Sequence, residues 1–245
     1  MAPDPGAALP RGCLVLDFDG TILDTEEPLY RSWVELWDDH GQRLDRAEWQ
    51  RNIGGDDLFD PWSGLEQRLG RPIDPALADR RRLRRDEIQA EEPLRDGVLE
   101  WLAGAEALGV PVGVASSSSH EWVDGHLRRL GIRHRLGTLV CRGEGVPAKP
   151  DPTSYRLACT SLGADPARSV AVEDSPNGVA AALAAGLYTV AVPHPLTRDL
   201  DLRRAHVVVD SLRALSVADA FRRAGTRACV DPVRSPSPAV TPPPR

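Results

Sequence analysis

A chain of 245 residues, 41% of them hydrophobic, can bury the core of one sizeable domain with room for a smaller insertion. Its formal net charge of −6 argues against a general nucleic-acid binder, and no apolar run approaches the roughly 20 residues that span a bilayer. The opening Met-Ala-Pro-Asp-Pro-Gly lacks the basic and apolar regions of a secretory leader, and Cys13, Cys141, Cys159 and Cys229 are scattered. They read as reduced small apolar residues, so a cytoplasmic protein is expected.

The first element is a strand over residues 13–18, continuously apolar as in a parallel sheet covered on both faces. It runs into Asp17-Phe18-Asp19-Gly20-Thr21, two carboxylates followed by a glycine and a hydroxyl. Open α/β sheets bind ligands at the carboxyl ends of their strands. Strand periodicity, if it persists that far, points Asp17 and Asp19 to one side. Like charges so close need a cation or a shared proton; one acid could then attack phosphorus while the other moves a proton. The plainer alternative is a polar strand-to-loop turn, since Asp and Gly are common there.

About ninety residues separate this strand from the next, where a crossover needs only a dozen or so. Leu29, Trp33, Leu36 and Trp37 follow one helix face, with Gly41 suited to its end, and Leu77, Leu83 and Ile88 lie in a second, arginine-rich helical stretch. Residues 27–94 are therefore expected to form an inserted helical domain, placed as a lid beside the two acids. Its Trp33, Trp37, Trp49 and Trp62 read as core. Arg80, Arg81, Arg82, Arg84 and Arg85, flanked by Asp79, Asp86 and Glu87, read as a solvated, ion-paired face.

Strands over 110–115, 138–141, 169–172, 188–192 and 207–209 then alternate with helices over 98–108, 120–130, 152–162 and 178–185. This pattern predicts an α/β fold, a doubly wound parallel sheet. The second strand leads into Ser116-Ser117-Ser118-Ser119-His120 at a helix start, an anion site or an N-cap with extra loop serines. Lys149, in Ala148-Lys149-Pro150, is a candidate phosphate cation, or simply an exposed loop lysine. The fourth strand ends in Glu173-Asp174-Ser175-Pro176-Asn177-Gly178. These acids have no obvious cationic partner nearby in sequence and suit Mg²⁺, though Asp174 could equally cap a helix. Residues 231–245, rich in Pro and Ser, read as a flexible tail, leaving 1–26 and 95–230 as a discontinuous core.

The order Asp17-x-Asp19-Gly20-Thr21, Ser116, Lys149-Pro150, Glu173-Asp174 resembles the haloacid dehalogenase-like (HAD) superfamily over residues 13 to about 215. More narrowly it is similar to the branch with an α-helical cap, home of β-phosphoglucomutase-like proteins and sugar-phosphate or phosphoglycolate phosphatases. The resemblance implies a HAD-like core of strand order 5-4-1-2-3, Asp17 as nucleophile, Asp19 as general acid/base, and Ser116 and Lys149 as phosphate binders. It also implies Mg²⁺ held by Asp17, the Asp19 backbone carbonyl and Asp174, with Glu173 nearby. Gly20, Thr21, Thr25 in the hinge, Gly54, Ser117, Ser118, His120 and Asn177 are the expected phosphate and substrate contacts.

The expected activity is Mg²⁺-dependent hydrolysis of a small phosphorylated metabolite by a monomer, with no nucleic-acid or membrane partner. Dehalogenases of the superfamily lack the second acid, which this chain keeps as Asp19. A phosphosugar mutase is the alternative enzyme. Leu29 stands where the mutase pattern has a histidine, and Ile53-Gly54-Gly55-Asp56-Asp57 is acidic where it has an arginine. A catalytically silent scaffold keeping the fold is the alternative from another class.

Overall fold

The computed structural model describes residues 12–50, 59–143 and 145–230. The element order is β1 (Leu14–Leu16), α1 (Glu26–Asp38), α2 (Arg46–Gln50), α3 (Pro61–Leu69), α4 (Ala76–Glu91), α5 (Val98–Ala107), β2 (Val112–Ser116), α6 (His120–Arg129) and β3 (Thr138–Cys141). There follow α7 (Thr153–Ser161), β4 (Val170–Glu173), α8 (Pro176–Ala184), β5 (Tyr188–Ala191), β6 (Val207–Val208) and α9 (Val217–Val230).

The six strands form one sheet of order β3-β2-β1-β4-β5-β6, every neighbouring pair parallel. Read from its far edge this is the expected 5-4-1-2-3 order with one short strand added beyond β5. β1 lies at the centre, with Leu16 opposite Val114 of β2 and Val172 of β4. Its unbroken apolar run follows from burial on both sides. Leu14 and Leu16 join the cluster that includes Trp101, Val123 and Val217, whereas Cys13 and Val15 pack with Tyr155, Ala158 and Ala182. Cys13, Cys141 and Cys159 are buried free thiols.

Between β1 and β2 the chain builds α1 to α4 around a separate apolar cluster of Leu36, Trp37, Leu44, Trp49, Leu65 and Ile73, with Leu29, Trp33 and Trp62 against it. Leu196, from the segment after β5, is buried in the same cluster and so ties the helices to the sheet. Capping sets the limits of α3: Asp60 accepts from the N–H groups of Trp62 and Ser63, Pro61 opens the first turn, and Gly70 closes it with φ 65°. On α4, Arg84 pairs with Glu35 and Glu87, Arg82 with Asp79, and Arg85 with Asp86. Arg81 lies over the Trp33 ring, 4.4 Å from its centroid. No described helix is long and apolar enough to cross a membrane.

Candidate active site

The register that aligns Leu16 with Val114 and Val172 carries the carboxyl ends of β1, β2 and β4 to one edge of the sheet, where the Asp17 N–H donates to Val172 O at 3.0 Å. Asp17 is buried, and its Oδ1 lies 2.5 Å from Lys149 Nζ. The same ammonium lies 2.5 Å from Glu173 Oε1, so one buried lysine faces two buried carboxylates. Tyr155 of α7 donates its hydroxyl to Glu173 Oε1 at 2.6 Å, and the Asp174 N–H and Ser175 Oγ donate to Oε2 at 3.2 and 3.3 Å. Glu173 thus has a cationic partner after all, Lys149, which comes from the loop before α7 and was invisible to local sequence.

Two glycines make room for these acids. Gly20 has φ 77°, and a Cβ there would sit 2.1 Å from Asp174 Oδ2. A Cβ on Gly178 would sit 1.9 Å from Glu173 Oε2. Ser175 caps α8 by accepting from the Gly178 N–H, and Pro176 opens the helix two residues before the expected start. Asn177 lies half-buried in that first turn.

β1 ends at Leu16, so strand alternation does not reach Asp19, and the two catalytic candidates engage different partners. Asp19 Oδ2 accepts from Ser118 Oγ at 2.7 Å and Ser116 Oγ at 3.2 Å, and Oδ1 accepts from the indole N–H of Trp122 at 3.1 Å. Ser117 Oγ instead accepts from the Lys149 N–H at 3.0 Å, fixing the lysine loop to the β2–α6 turn. Ser119 caps α6, and His120 is exposed at its start. Thr21 and Thr25 are buried with hydroxyls that have no hydrogen-bond partner among the described residues. Gly54 lies outside the described residues, as do Asp56 and Asp57, and Leu29 packs against the helical cluster.

The electrostatics follow from burial. Desolvation raises the Asp17 pKa, Glu173 raises it further, and the pull of Lys149 is insufficient, leaving it at about 8. Asp174 is raised well above the usual carboxylate range by burial, Asp17 and Glu173. Burial disfavours the charged form of Lys149, but Asp17 and Glu173 outweigh it and raise its pKa. Burial, Asp19 and Asp24 raise Glu26, in the first turn of α1, to about 7.

A cation would relieve this crowding. One ligand oxygen each from Asp17, Glu173 and Asp174 lies within 4.8 Å of the others, and Asp17 Oδ2 is buried with no partner among the described residues. Glu173 differs from the other two because donors already occupy both its oxygens. An all-oxygen donor set of this kind fits a hard divalent ion.

Four residues at the site escaped sequence reasoning. Tyr155 and Trp122 sit inside helices and reach acids far away in sequence. Arg95, just before α5, donates to the carbonyls of Gly20 and Pro193 and turns its charge toward Asp174, Asp24 and Asp17. Glu26 follows Thr25 directly. Gly178 was the one available signal for the Glu173 cradle, since a glycine in a first helical turn asks what occupies its missing side chain.

A family model described as haloacid dehalogenase-like hydrolase matches residues 12–186. The chain belongs to this family. Among relatives of this HAD chain, "Putative phosphatase YhcW" of Bacillus subtilis is 38% identical, over 76% of this chain and 86% of its own length. Hexitol phosphatase B of Escherichia coli K12 is 29% identical, over 84% of this chain and 94% of its own. The crystal structure of a HAD family hydrolase from Deinococcus radiodurans R1 with bound phosphate and sodium superposes with a TM-score of 0.72 at 27% identity, covering 88% of this chain and 97% of that one.

Proposed function

We propose that this HAD hydrolase is a Mg²⁺-dependent phosphatase of small phosphate monoesters, sugar or polyol phosphates, acting through an aspartyl-phosphate on Asp17. The observation that carries the reading is Asp17 itself. It is a buried carboxylate at the central strand's end, with one oxygen on Lys149 and the other without a partner among the described residues, beside Asp174. The phosphatase names of the B. subtilis and E. coli relatives and the phosphate bound to the D. radiodurans hydrolase support the class of substrate.

Asp17 and Asp174, with the Asp19 backbone carbonyl, would hold the ion, and Glu173 would brace Lys149 beside them. When bound, Mg²⁺ offsets the negative charge of the transferring group and of its carboxylate neighbours. Asp17 attacks phosphorus while the ester bond to the leaving oxygen breaks. Lys149 neutralises charge on the phosphoryl group and on Asp17. Asp19 protonates the leaving alkoxide, then takes a proton from the water that cleaves the aspartyl-phosphate. The hydroxyls of Thr21 and Thr25, buried without partners among the described residues, are candidates to meet substrate oxygens, alongside Ser116 and Ser117.

On this reading residues 27–94 are an α-helical cap, supported by the separate apolar cluster of α1 to α4, and they favour small substrates by closing over the site. The buried free thiols suit a reducing cytoplasm. The test is phosphate release from a panel of sugar and polyol phosphates with Mg²⁺, wild type against Asp17→Asn. Release by the wild type and its near-complete loss in a folded Asp17→Asn variant is the expected result; equal release by both removes Asp17 as nucleophile. Glucose 1-phosphate in the panel should give free phosphate without glucose 6-phosphate, and the reverse would indicate the mutase.

A further inference from the structure

Among the described residues three donors hold Asp19, and the third comes from an unexpected place. Ser116 and Ser118 belong to the strand end and turn, but Trp122 lies inside α6 and reaches Asp19 Oδ1 with its indole N–H. The Trp122 ring is itself gripped. His126 packs edge-on against it with centroids 4.2 Å apart, and the guanidinium carbon of Arg85 lies 5.2 Å from the ring centroid. Arg85 belongs to α4, in the helical insertion.

α4 and α6 meet at a second point. Arg129 donates to Ala90 O at 2.9 Å and to Glu92 O at 3.1 Å, carbonyls at the α4 carboxyl end. Such terminal carbonyls lack intrahelical donors, and a cation there also suits the helix dipole. α6 therefore touches Asp19 on one side and α4 at two points on another. The contacts form a continuous line from α4 through Arg85 and Trp122 to Asp19.

We propose that Trp122 is a positioning residue for Asp19, and that Arg85 couples the placement of α4 to it. The inference rests on the phosphatase reading, in which Asp19 delivers a proton to the leaving oxygen. Ser118 and Ser116 both hold Oδ2, whereas among the described residues Trp122 alone holds Oδ1. Oδ1 is the oxygen with fewer bonds to give up, so the indole N–H decides how that half of the carboxylate is aimed. Arg85 and His126 fix the ring, and a shift of α4 that moves Arg85 changes how firmly Oδ1 is held. Proton delivery is thereby tied to the position of the helical insertion over the site.

Trp122→Phe deletes the donor and keeps a ring for Arg85 and His126. The discriminating measurement is kcat/KM for a hexitol phosphate, whose alkoxide needs a proton to leave, against p-nitrophenyl phosphate, whose phenolate does not. We expect a loss of about tenfold for the hexitol phosphate, the scale of one hydrogen bond to a charged group, and little change for the aryl ester. Equal losses on both substrates, or none on either, overturn the positioning role. Arg85→Gln, at a half-buried position of α4, should show the same substrate pattern more weakly. The double variant should be no worse than Trp122→Phe alone, because residues acting through one path do not add; additive losses overturn the Arg85 link.

A readout independent of turnover separates this inference from the activity it rests on. Among the six tryptophans, the indole N–H resonance missing from Trp122→Phe should move in Asp19→Asn. If it stays put the contact is refuted, whatever the activity. If it moves while no phosphate ester is hydrolysed by the wild type, the phosphatase reading fails and the coupling to proton delivery falls with it.

Discussion

Replacing Tyr155 by phenylalanine removes one oxygen from the interior and nothing else. Tyr155 is fully buried, and its hydroxyl donates at 2.6 Å to Glu173 Oε1, inside a site where Lys149 is shared between Asp17 and Glu173. A hydrogen bond to a charged group contributes roughly 1.5–3 kcal/mol. Glu173 Oε1 keeps Lys149, so the acceptor is not orphaned and the lower figure applies, about 1.5 kcal/mol. For a domain of this size that corresponds to a fall in Tm of about 3–6 °C, read by thermal or urea unfolding. Activity should decline by only a few-fold, because Lys149 still reaches Asp17. An unchanged Tm would mean that the hydroxyl is not paired with Glu173. A loss as large as about 4 kcal/mol, the scale of breaking a buried ion pair, would show that Lys149 cannot hold Glu173 alone.

Gly20→Ala should be far more damaging than its one methyl group suggests. The new Cβ would meet Asp174 Oδ2 at 2.1 Å from a backbone at φ 77°, so Mg²⁺-dependent activity should collapse and the Mg²⁺-induced rise in Tm should vanish; retention of both would exclude the close approach. The Asp17 pKa of about 8, against 3.8 as its ordinary value, sets a pH dependence for the metal-free protein. The folded state holds a proton that the unfolded chain releases, so this group's contribution is fully present below pH 3.8 and is lost as pH rises through about 8. Melting in excess chelator should therefore weaken progressively from about pH 4 to about pH 8 and level off above it, and Mg²⁺ should stabilise more at the higher end of that range. Parallel pH curves with and without Mg²⁺ would contradict the assignment.

The sheet was legible because its signals are local. β1 is covered on both faces, so every residue of its run is apolar, and β3 spans the expected residues, 138–141. The elements expected from sequence stop short of α9, although Val217, Ala220, Phe221 and Ala224 follow one helix face and pack on the core. At the site, Asp17, Asp19, Lys149 and the Glu173-Asp174 pair stood at strand ends or in loops, where charge after an apolar run is conspicuous. Their partners were hidden. Trp122 looks from sequence like one more amphipathic helix residue, Tyr155 like core, and Arg95 like a surface arginine. Each is defined by an atom more than fifteen residues away, and long-range pairing of that kind leaves no periodicity to read.

The two acids that opened the sequence end up with different partners, although one residue separates them. Asp17 shares its single lysine with Glu173 and lies against Asp174, so burial and like charge push its proton affinity up. Asp19 is met by two hydroxyls and an indole N–H. Placing like carboxyls in unlike surroundings is how one site obtains two roles from one residue type. On the proposed reading the nucleophile must be ionised near neutral pH, and the charges of this chain alone leave Asp17 poorly suited to that state. An external cation is then required twice, to free Asp17 for attack and to make three buried carboxyls tolerable together. Stability and turnover should consequently rise over the same range of Mg²⁺ concentration, because both depend on filling one cluster of oxygens.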